Sequence, residues 1–407
     1  MDPTKHDDFS VDLNNPELWA HPRAFLDVWD TLHPWFEMRG YILYPRDPNY
    51  CYTPRPGEGE PYNLPEETLE YPFAQTLRGD EYYRSFSAKV GLWVAVDSKH
   101  RDVVIKTVPS DYDELAIARK LSTEPMKSDP HNCIVPVLEV LQFNAEFSFI
   151  IMPRWSAIPY TNGDVFDCLE TSFCFTLHML QALAFLHENG IVHRDISFRN
   201  VLVNCNGYTE HIPPVSLRPD DKWQPRFVLC DFDISVIFPP DIPPSERVLP
   251  ASETSWGELS FHPQDVSDGD ATYDPFAFDV ACMGAMLCIA IGPTTKAVPL
   301  LAPFLDRMIT PHISSRYTAS EALDAFTEIM RTLSQEFLRQ TPAPPFVNIR
   351  GAWQNHDRWD GLPDDFVKEH LGPEGPVRPR RKKVSYSPDG SMSSVWVEWD
   401  VPIPLPY

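Results

Sequence analysis

The stretch HENGIVHRDISFRNVLVN, running from His187 to Asn204, decides how the rest of the chain is read. It spells a helix end, a turn at Asn189-Gly190, the tripeptide His193-Arg194-Asp195, and Asn200 five positions after the Asp, all flanked by apolar residues. An Asp in such a loop can orient an attacking hydroxyl and accept its proton. An Asn at that distance can offer its amide oxygen to a divalent cation, as a phosphoryl-transfer site requires. Three residues recur by chance, so the weight of the motif rests on whether its partners occur elsewhere in the required order.

Outward from that loop, composition sets the bounds. A chain of 407 residues suits two lobes or domains with extensions rather than one small core. Hydrophobic residues at 43% and aromatic residues at 12% are enough to bury a sizeable interior. A net charge of -24 argues against nucleic acid or an anionic membrane as the main partner, because both require basic surface; solubility is its simpler meaning. The eight cysteines are scattered without a CxxC pair, which favours reduced, buried thiols in an intracellular protein over disulfides, a disulfide-linked partner or a zinc site. The start MDPTKHDDFS lacks the apolar core of a signal peptide, and no apolar run reaches membrane-spanning length. The chain is therefore expected in the cytoplasm. The 43 prolines cluster outside the periodic segments and read as long loops or linkers.

Upstream of the loop, Phe25, Trp29 and Leu32 recur at i, i+4 and i+7 and predict an aromatic-faced helix in an extension over 1–82, packed on the main domain rather than on a partner. The stretch Asp47 to Pro65 is rich in Pro and Gly and reads as irregular. VGLWVAV and DVVIKTV, separated by DSKHR, predict a hairpin whose second strand carries Lys106. SDYDELAIARKLS predicts a helix capped by Ser110 or Asp111, with Glu114 in its first turn. HNCIVPVLEVLQF and FSFIIMPRW supply two more strands, and Phe166 to His187 has the period of a buried helix. Downstream come the strand at Leu202-Val203, a polar insertion over 205–224, the strand FVLCDFDI, a Pro- and Ser-rich stretch over 235–262, and the apolar helix YDPFAFDVACMGAMLCIAI. Residues 341–407 are proline-rich and include the basic run Arg378 to Lys383, which reads as a solvated tail or a nuclear-import signal.

These motifs, in this order, resemble the protein kinases over about 83–335, and the HRDIS and DFD variants, the YDPF segment and the aromatic extension are similar to the fungal-type protein kinase-like family. The resemblance implies an α+β, bilobal fold: a small, mainly β N-lobe with one key helix and its hinge over 83–155, and a larger helical C-lobe over 156–340. It makes Lys106 the strand lysine that holds the phosphates of ATP, Glu114 its helix partner, and Gly91 the remnant of the glycine-rich loop. Met152 would stand at the back of the nucleotide pocket, and Pro153, Arg154 and Trp155 would form the hinge against adenine. Asp195 would be the catalytic base, while Asn200 and Asp231 would hold Mg2+ through oxygen. Asp279 would tie down the catalytic-loop backbone, Arg194 would meet a phosphorylated loop at Ser245, Ser252, Thr254, Ser255 or Ser260, and Arg316 would be the late buried arginine.

Departures from the pattern accompany the matches. SFSAKVGLWVA offers Gly91 alone, so side chains hinder the approach of backbone amides to phosphate. Ser197 replaces the lysine found two positions after the catalytic Asp in serine/threonine kinases, and Arg199 is placed to supply that charge. Asp233 replaces the glycine after Asp231-Phe232, which is expected to limit the backbone there. In His262-Pro263-Gln264, Gln264 cannot make the ion pair to Arg316 that an acid would. The resemblance implies transfer of the ATP γ-phosphoryl to a protein Ser, Thr or possibly Tyr hydroxyl. The alternatives are an inactive kinase-like binding scaffold and a small-molecule phosphotransferase.

Overall fold

The alternation expected from Leu92 onward builds a sheet. The structure is a computed structural model that describes residues 11–20, 22–46, 52–53, 71–76, 86–87, 90–158, 166, 168–206, 225–256, 263, 265–266, 270–340, 357–372, 375, 381–386 and 392–397. It divides into two units. The first comprises Met1–Ser128, Val135–Ser156 and Val203–Tyr208, the second Asp129–Ile134, Ala157–Leu202 and Thr209–Tyr407. Most of the stretch 47–65 and of the insertion over 205–224, together with Gln264, Ser260 and Arg378 to Arg380, lie outside the described residues.

In the first unit, β1 (Ile42–Leu43), β2 (Leu92–Val96), β3 (Asp102–Pro109), β4 (Glu139–Gln142) and β5 (Phe147–Pro153) form an antiparallel sheet in the order β1-β2-β3-β5-β4. The β2–β3 turn closes on Asp97, whose carboxylate accepts from the amides of Lys99 and Arg101, each at 2.9 Å, and from the Arg101 Nε at 2.7 Å.

Both faces of the sheet are covered. On one, Trp93, Ala95, Val103, Ile105, Phe149 and Ile151 pack with Phe25, Val28, Trp29, Leu32, Trp35 and Phe36 of α2 (Pro22–Glu37), which follows the short α1 (Pro16–Ala20). Trp29 stacks on Trp93 with ring centroids 6.2 Å apart, and Phe36 meets Phe149 edge-on at 4.8 Å. Burying each such side chain contributes about 1.5–3 kcal/mol, so this helix is integral to the sheet. On the other face, Val94 and Val96 pack with Tyr44, while Val108 and Ile150 pack with Leu115 and Ala118 of α3 (Asp113–Leu121). The helix of the extension over 1–82 packs on this sheet, and it and the edge strand belong to the first unit. Helix α3 starts later than expected, with Tyr112 at its N-cap and no side-chain cap, and the Ser110 amide before it donates to the Glu146 carbonyl at 2.7 Å.

The edge strand also corrects the reading of Ser85 to Ala95 as a loop with one surviving glycine. Ile42 faces Val96, and in a separate two-stranded ladder Tyr52 faces Ser87 and Thr53 faces Phe86. Residues 54–85 separate Thr53 from its partner Phe86 in sequence.

The second unit is helical. Helix α4 (Leu169–Glu188) packs against α5 (Pro275–Ala290) and α7 (Ala319–Arg331), and α5 packs against α6 (Leu301–Ile309). Contrary to the sequence expectation, α4 is long and apolar enough to cross a membrane by length and composition, but most of it is buried inside the unit. α5 is apolar on all sides, which suits a helix in the middle of a core. Asp274 caps it by accepting from the amides of Phe276 and Ala277. A side chain at Gly284 would lie 2.6 Å from the Met308 Cβ, so glycine is what lets α5 approach α6. The strand within FVLCDFDI is confined to Phe227–Leu229.

The C-terminal stretch is less of a tail than its composition implies. After the short α8 (Gln335–Leu338), Trp359 and Leu362 pack on Ala302 of α6, together with Phe366 and Val367 of α9 (Asp364–His370). Arg358 and the Trp359 indole both bond to the Asp306 carboxylate, the indole at 2.8 Å. Arg381, Lys382 and Lys383 of the basic run lie on a strand paired with Val397, Trp396 and Val395.

Candidate functional site

The candidate residues fall into one set in each unit. In the second unit, α4 ends at Glu188, and the turn is closed by Gly190 at φ 72°, where a Cβ would stand 3.0 Å from the Phe238 carbonyl oxygen. Ile191 and Val192 then pair with Ile237 and Val236. The chain next reaches Asp279, fully buried in α5. Its carboxylate accepts from the amides of His193 at 2.6 Å and Arg194 at 2.8 Å and meets the His187 Nε2 at 3.3 Å. This holds Arg194 at φ 71°, a left-handed conformation that costs an ordinary residue about 1–3 kcal/mol. His193 lies against Phe232, ring centroids 5.1 Å apart. Its Nε2 is 3.1 Å from the Cys230 carbonyl oxygen and its Nδ1 3.3 Å from the Asp195 amide, so one tautomer, protonated on Nε2, serves both contacts.

Asn200 occupies a 3-10 turn, Phe198–Asn200, and its Nδ2 donates to the Asp195 carbonyl at 2.8 Å and to the Asp195 Oδ2 at 2.7 Å. Both amide protons of Asn200 are thereby turned toward Asp195, which orients the carboxylate and leaves the Asn200 Oδ1 as an acceptor. The Cys230 amide donates to the Asn200 carbonyl at 2.9 Å and brings the next residue, Asp231, alongside; it too is left-handed, at φ 70°. Asp195, Asn200 and Asp231 therefore adjoin, and two of the three left-handed non-glycine residues among those described belong to this one site. The restriction expected at Asp233 does not arise: it is an exposed turn residue outside the left-handed region, so a side chain fits where glycine was anticipated. Arg199 is exposed on the same turn.

Two buried arginines find partners other than those expected. Arg194 donates from Nε to the Tyr273 hydroxyl at 3.1 Å, from Nη1 to the Ile234 carbonyl at 2.9 Å and from Nη2 to the Glu253 carboxylate at 2.8 Å. A carboxylate thus faces the cation that the resemblance assigned to a phosphate. Burial pushes the Tyr273 phenol up to about 12, and the neighbouring Arg194 works against that rise. The ion pair expected to be lost at Gln264 is made one residue later: Arg316 pairs with Asp265 and also donates to the carbonyls of Thr310 and Ala277, each at 2.9 Å. Sequence reasoning missed both acids. The signal for Asp265 was an acidic neighbour of Gln264. For Glu253 it was the one acidic side chain between Ser252 and Thr254, where only hydroxyls were considered.

In the first unit, the Lys106 Nζ meets the Glu114 Oε1 at 2.6 Å, as the strand and helix pattern predicts. Gly91 adjoins Lys106 along the ladder: its carbonyl accepts from the Thr107 amide at 2.8 Å, its φ is 65°, and a Cβ there would lie 3.0 Å from the Trp19 ring. On the hinge segment Pro153 has no N–H, and the Arg154 amide donates to the Asp102 carbonyl at 3.1 Å, so the segment's remaining amide is that of Trp155. The Trp155 indole donates to the Pro72 carbonyl at 2.7 Å, and the Arg154 Nη1 donates to the Tyr44 hydroxyl at 3.0 Å. Met152 is half-buried on β5, opposite Val104.

The described cysteines are free thiols. Burial pushes the thiol of Cys133 up to about 11 and that of Cys288 likewise to about 11, which makes both poor nucleophiles.

Residues 86–212 match the family described as protein tyrosine and serine/threonine kinase. The chain is 31% identical over 151 residues to a probable serine/threonine-protein kinase of Dictyostelium discoideum, a match covering 36% of this chain and 27% of that protein. It is 28% identical over 147 residues to NUAK family SNF1-like kinase 2 of Rattus norvegicus, covering 34% and 21%. To the protein kinase US3 homolog of Gallid herpesvirus 2 it is 25% identical over 142 residues, covering 33% and 32%. The matches span no more than about a third of the length of these relatives. The fold is the bilobal α+β fold of protein kinases, with a sheet-based first lobe and a helical second lobe.

Proposed function

We propose that this chain is an ATP-dependent protein kinase that transfers the γ-phosphoryl group to a Ser or Thr hydroxyl, with Tyr as the alternative acceptor. The observation that carries the proposal is the pair of hydrogen bonds from the Asn200 Nδ2 to Asp195, which aims one carboxylate at an incoming hydroxyl and keeps one amide oxygen for a cation. In the reaction the acceptor oxygen attacks the γ-phosphorus, the bond to the β-bridging oxygen breaks, ADP leaves, and the acceptor proton passes to Asp195. Lys106, held by Glu114, binds phosphate oxygens, and the Pro153 carbonyl with the Trp155 amide supports adenine binding. Asn200 and Asp231, both oxygen donors, would hold magnesium, which would supply positive charge to offset that of the phosphates. Arg199 supplies a cation near the transferred group.

The fungal-type kinase-like assignment rests on the HRDISFRN, VVIK, DFD and DVACMG motifs. Free thiols among the described residues support an intracellular, cytoplasmic protein, with nuclear entry through Arg378 to Lys383 as the variant of that reading.

The test is transfer of labelled γ-phosphate from Mg-ATP to the protein itself and to mixed protein acceptors. Asp195→Asn should lower the rate by about 10²–10⁴-fold, and the labelled residue type separates Ser/Thr from Tyr. A parent that binds Mg-ATP, read as a raised Tm, but transfers nothing would be a scaffold, the reading favoured by the lone Gly91 with Trp19 against it. Label on a small alcohol and on no protein would mark a small-molecule phosphotransferase.

A further inference from the structure

The loop between Ile234 and Tyr273 carries a counter-ion of its own. Leu249 and Pro250 pair with Tyr273 and Thr272, and the 3-10 turn Ala251–Trp256 follows at once. This short ladder sets Glu253 and Tyr273 side by side against one guanidinium. Arg194 is 4% exposed, and the loop contributes an acceptor to each of its nitrogens: the Tyr273 hydroxyl, the Ile234 carbonyl and the Glu253 carboxylate. A buried guanidinium left without a carboxylate would carry the desolvation cost of an unpaired charge, so the pair selects the loop conformation that supplies one. The neighbouring hydroxyl at Thr254 is buried and donates to the Ala251 carbonyl at 2.8 Å, which shields it from modification while the turn is formed.

Taking the proposed kinase reading as its basis, we infer that Glu253 is a positioning residue: through Arg194 it holds the loop and the catalytic Asp195 in place with no phosphate added to the loop. Arg194 directly precedes Asp195, and its amide is fixed by Asp279, so a guanidinium anchored by Glu253 fixes the chain at the base from the side-chain end as well.

The experiment uses the full chain, untreated and phosphatase-treated, with absence of phosphate on 247–256 verified by mass spectrometry. Two quantities are read: hydrogen exchange of the amides over 247–256, and the kcat and KM for Mg-ATP. The expected result is that phosphatase changes neither. Glu253→Gln should speed exchange in that segment and lower kcat, each about tenfold, with KM for Mg-ATP within about twofold, and Glu253→Asp should recover part of both. Should Glu253→Gln fail to fold, Tyr273→Phe, which removes the acceptor of the Arg194 Nε, is expected to loosen the same segment by a smaller factor. Loosening by phosphatase, with Glu253→Gln indistinguishable from the parent, would overturn the inference. If no form transfers phosphate, the kinase reading fails, while the exchange data still decide whether Glu253 holds the loop.

Discussion

Arg194 and Arg316 are buried to nearly the same depth, 4% and 5% exposed, and the second unit puts them to different use. The carboxylate that meets Arg316 is itself 8% exposed, and the other acceptors are carbonyls at the start of α5 and the end of α6. The carboxylate that meets Arg194 is 23% exposed and sits on a turn reached through a ladder of two residue pairs. A charge pair dry at both ends cannot be opened without leaving a charge in the core. A pair wet at one end returns only its carboxylate to water, and the guanidinium keeps its hydroxyl and carbonyl acceptors. The first kind therefore serves folding, and the second can serve the position of a loop.

The comparison breaks most readily at Asp265. Asp265→Asn should cost about 3–5 kcal/mol in denaturant unfolding; a loss below about 1 kcal/mol would mean the dry pair is no more structural than the wet one. Next in size is the third arginine, Arg358, which belongs with Arg316 because its carboxylate partner Asp306 also takes the Trp359 indole. Trp359→Ala should cost about 3 kcal/mol, and a neutral result would return residues 357–371 to the status of tail.

A pH series sharpens the comparison by marking where other groups intrude. Burial, with Arg226 nearby, lowers His178 from 6.5 to about 4, and its Nδ1 accepts from the Phe227 amide. Below pH 6.5 the unfolded chain binds a proton that the folded chain refuses until near pH 4, so stability falls with pH across that window, by about 2 kcal/mol at pH 5. His178→Gln, which keeps an acceptor, should flatten the slope of Tm between pH 6.5 and 4; an unchanged slope would assign the acid loss elsewhere. The smallest stability effect belongs to the wet pair: Glu253→Gln, which keeps an acceptor for a guanidinium that also has the Tyr273 hydroxyl and the Ile234 carbonyl, should cost less than Asp265→Asn while lowering kcat. A global loss as large as that of Asp265→Asn would erase the distinction between the two corners.

The candidate site residues were legible because the motif they resemble sets particular side chains in a particular order. Lys106 with Glu114, and Asp195 with Asn200, stand as bonded pairs, and Asp279 holds the two amides its motif implied. What escaped was set by packing. The run Leu92-Trp93-Val94-Ala95-Val96 is apolar throughout because α2 covers one face and Tyr44 the other, so no alternation revealed which strand would lie beside it. The edge partner at Ile42 is far away in sequence and only two residues long, too short for periodicity to register. Asp265 and Glu253 were hidden for another reason: an ion pair tolerates a shift of one residue and an exchange of carboxylate for phosphate, and motifs record neither.

The pairings of Ile42 with Val96 and of Thr53 with Phe86 bear on how such chains are found at all. A glycine fingerprint describes the geometry of a tight turn, whereas residues 54–85 separate Thr53 from its partner in sequence. The family match begins at residue 86 and leaves the edge strand outside it. A search anchored on glycine spacing would pass over sequences of this build, whereas one anchored on the strand lysine, the helix glutamate eight residues later and the aspartate–asparagine pair would retrieve them.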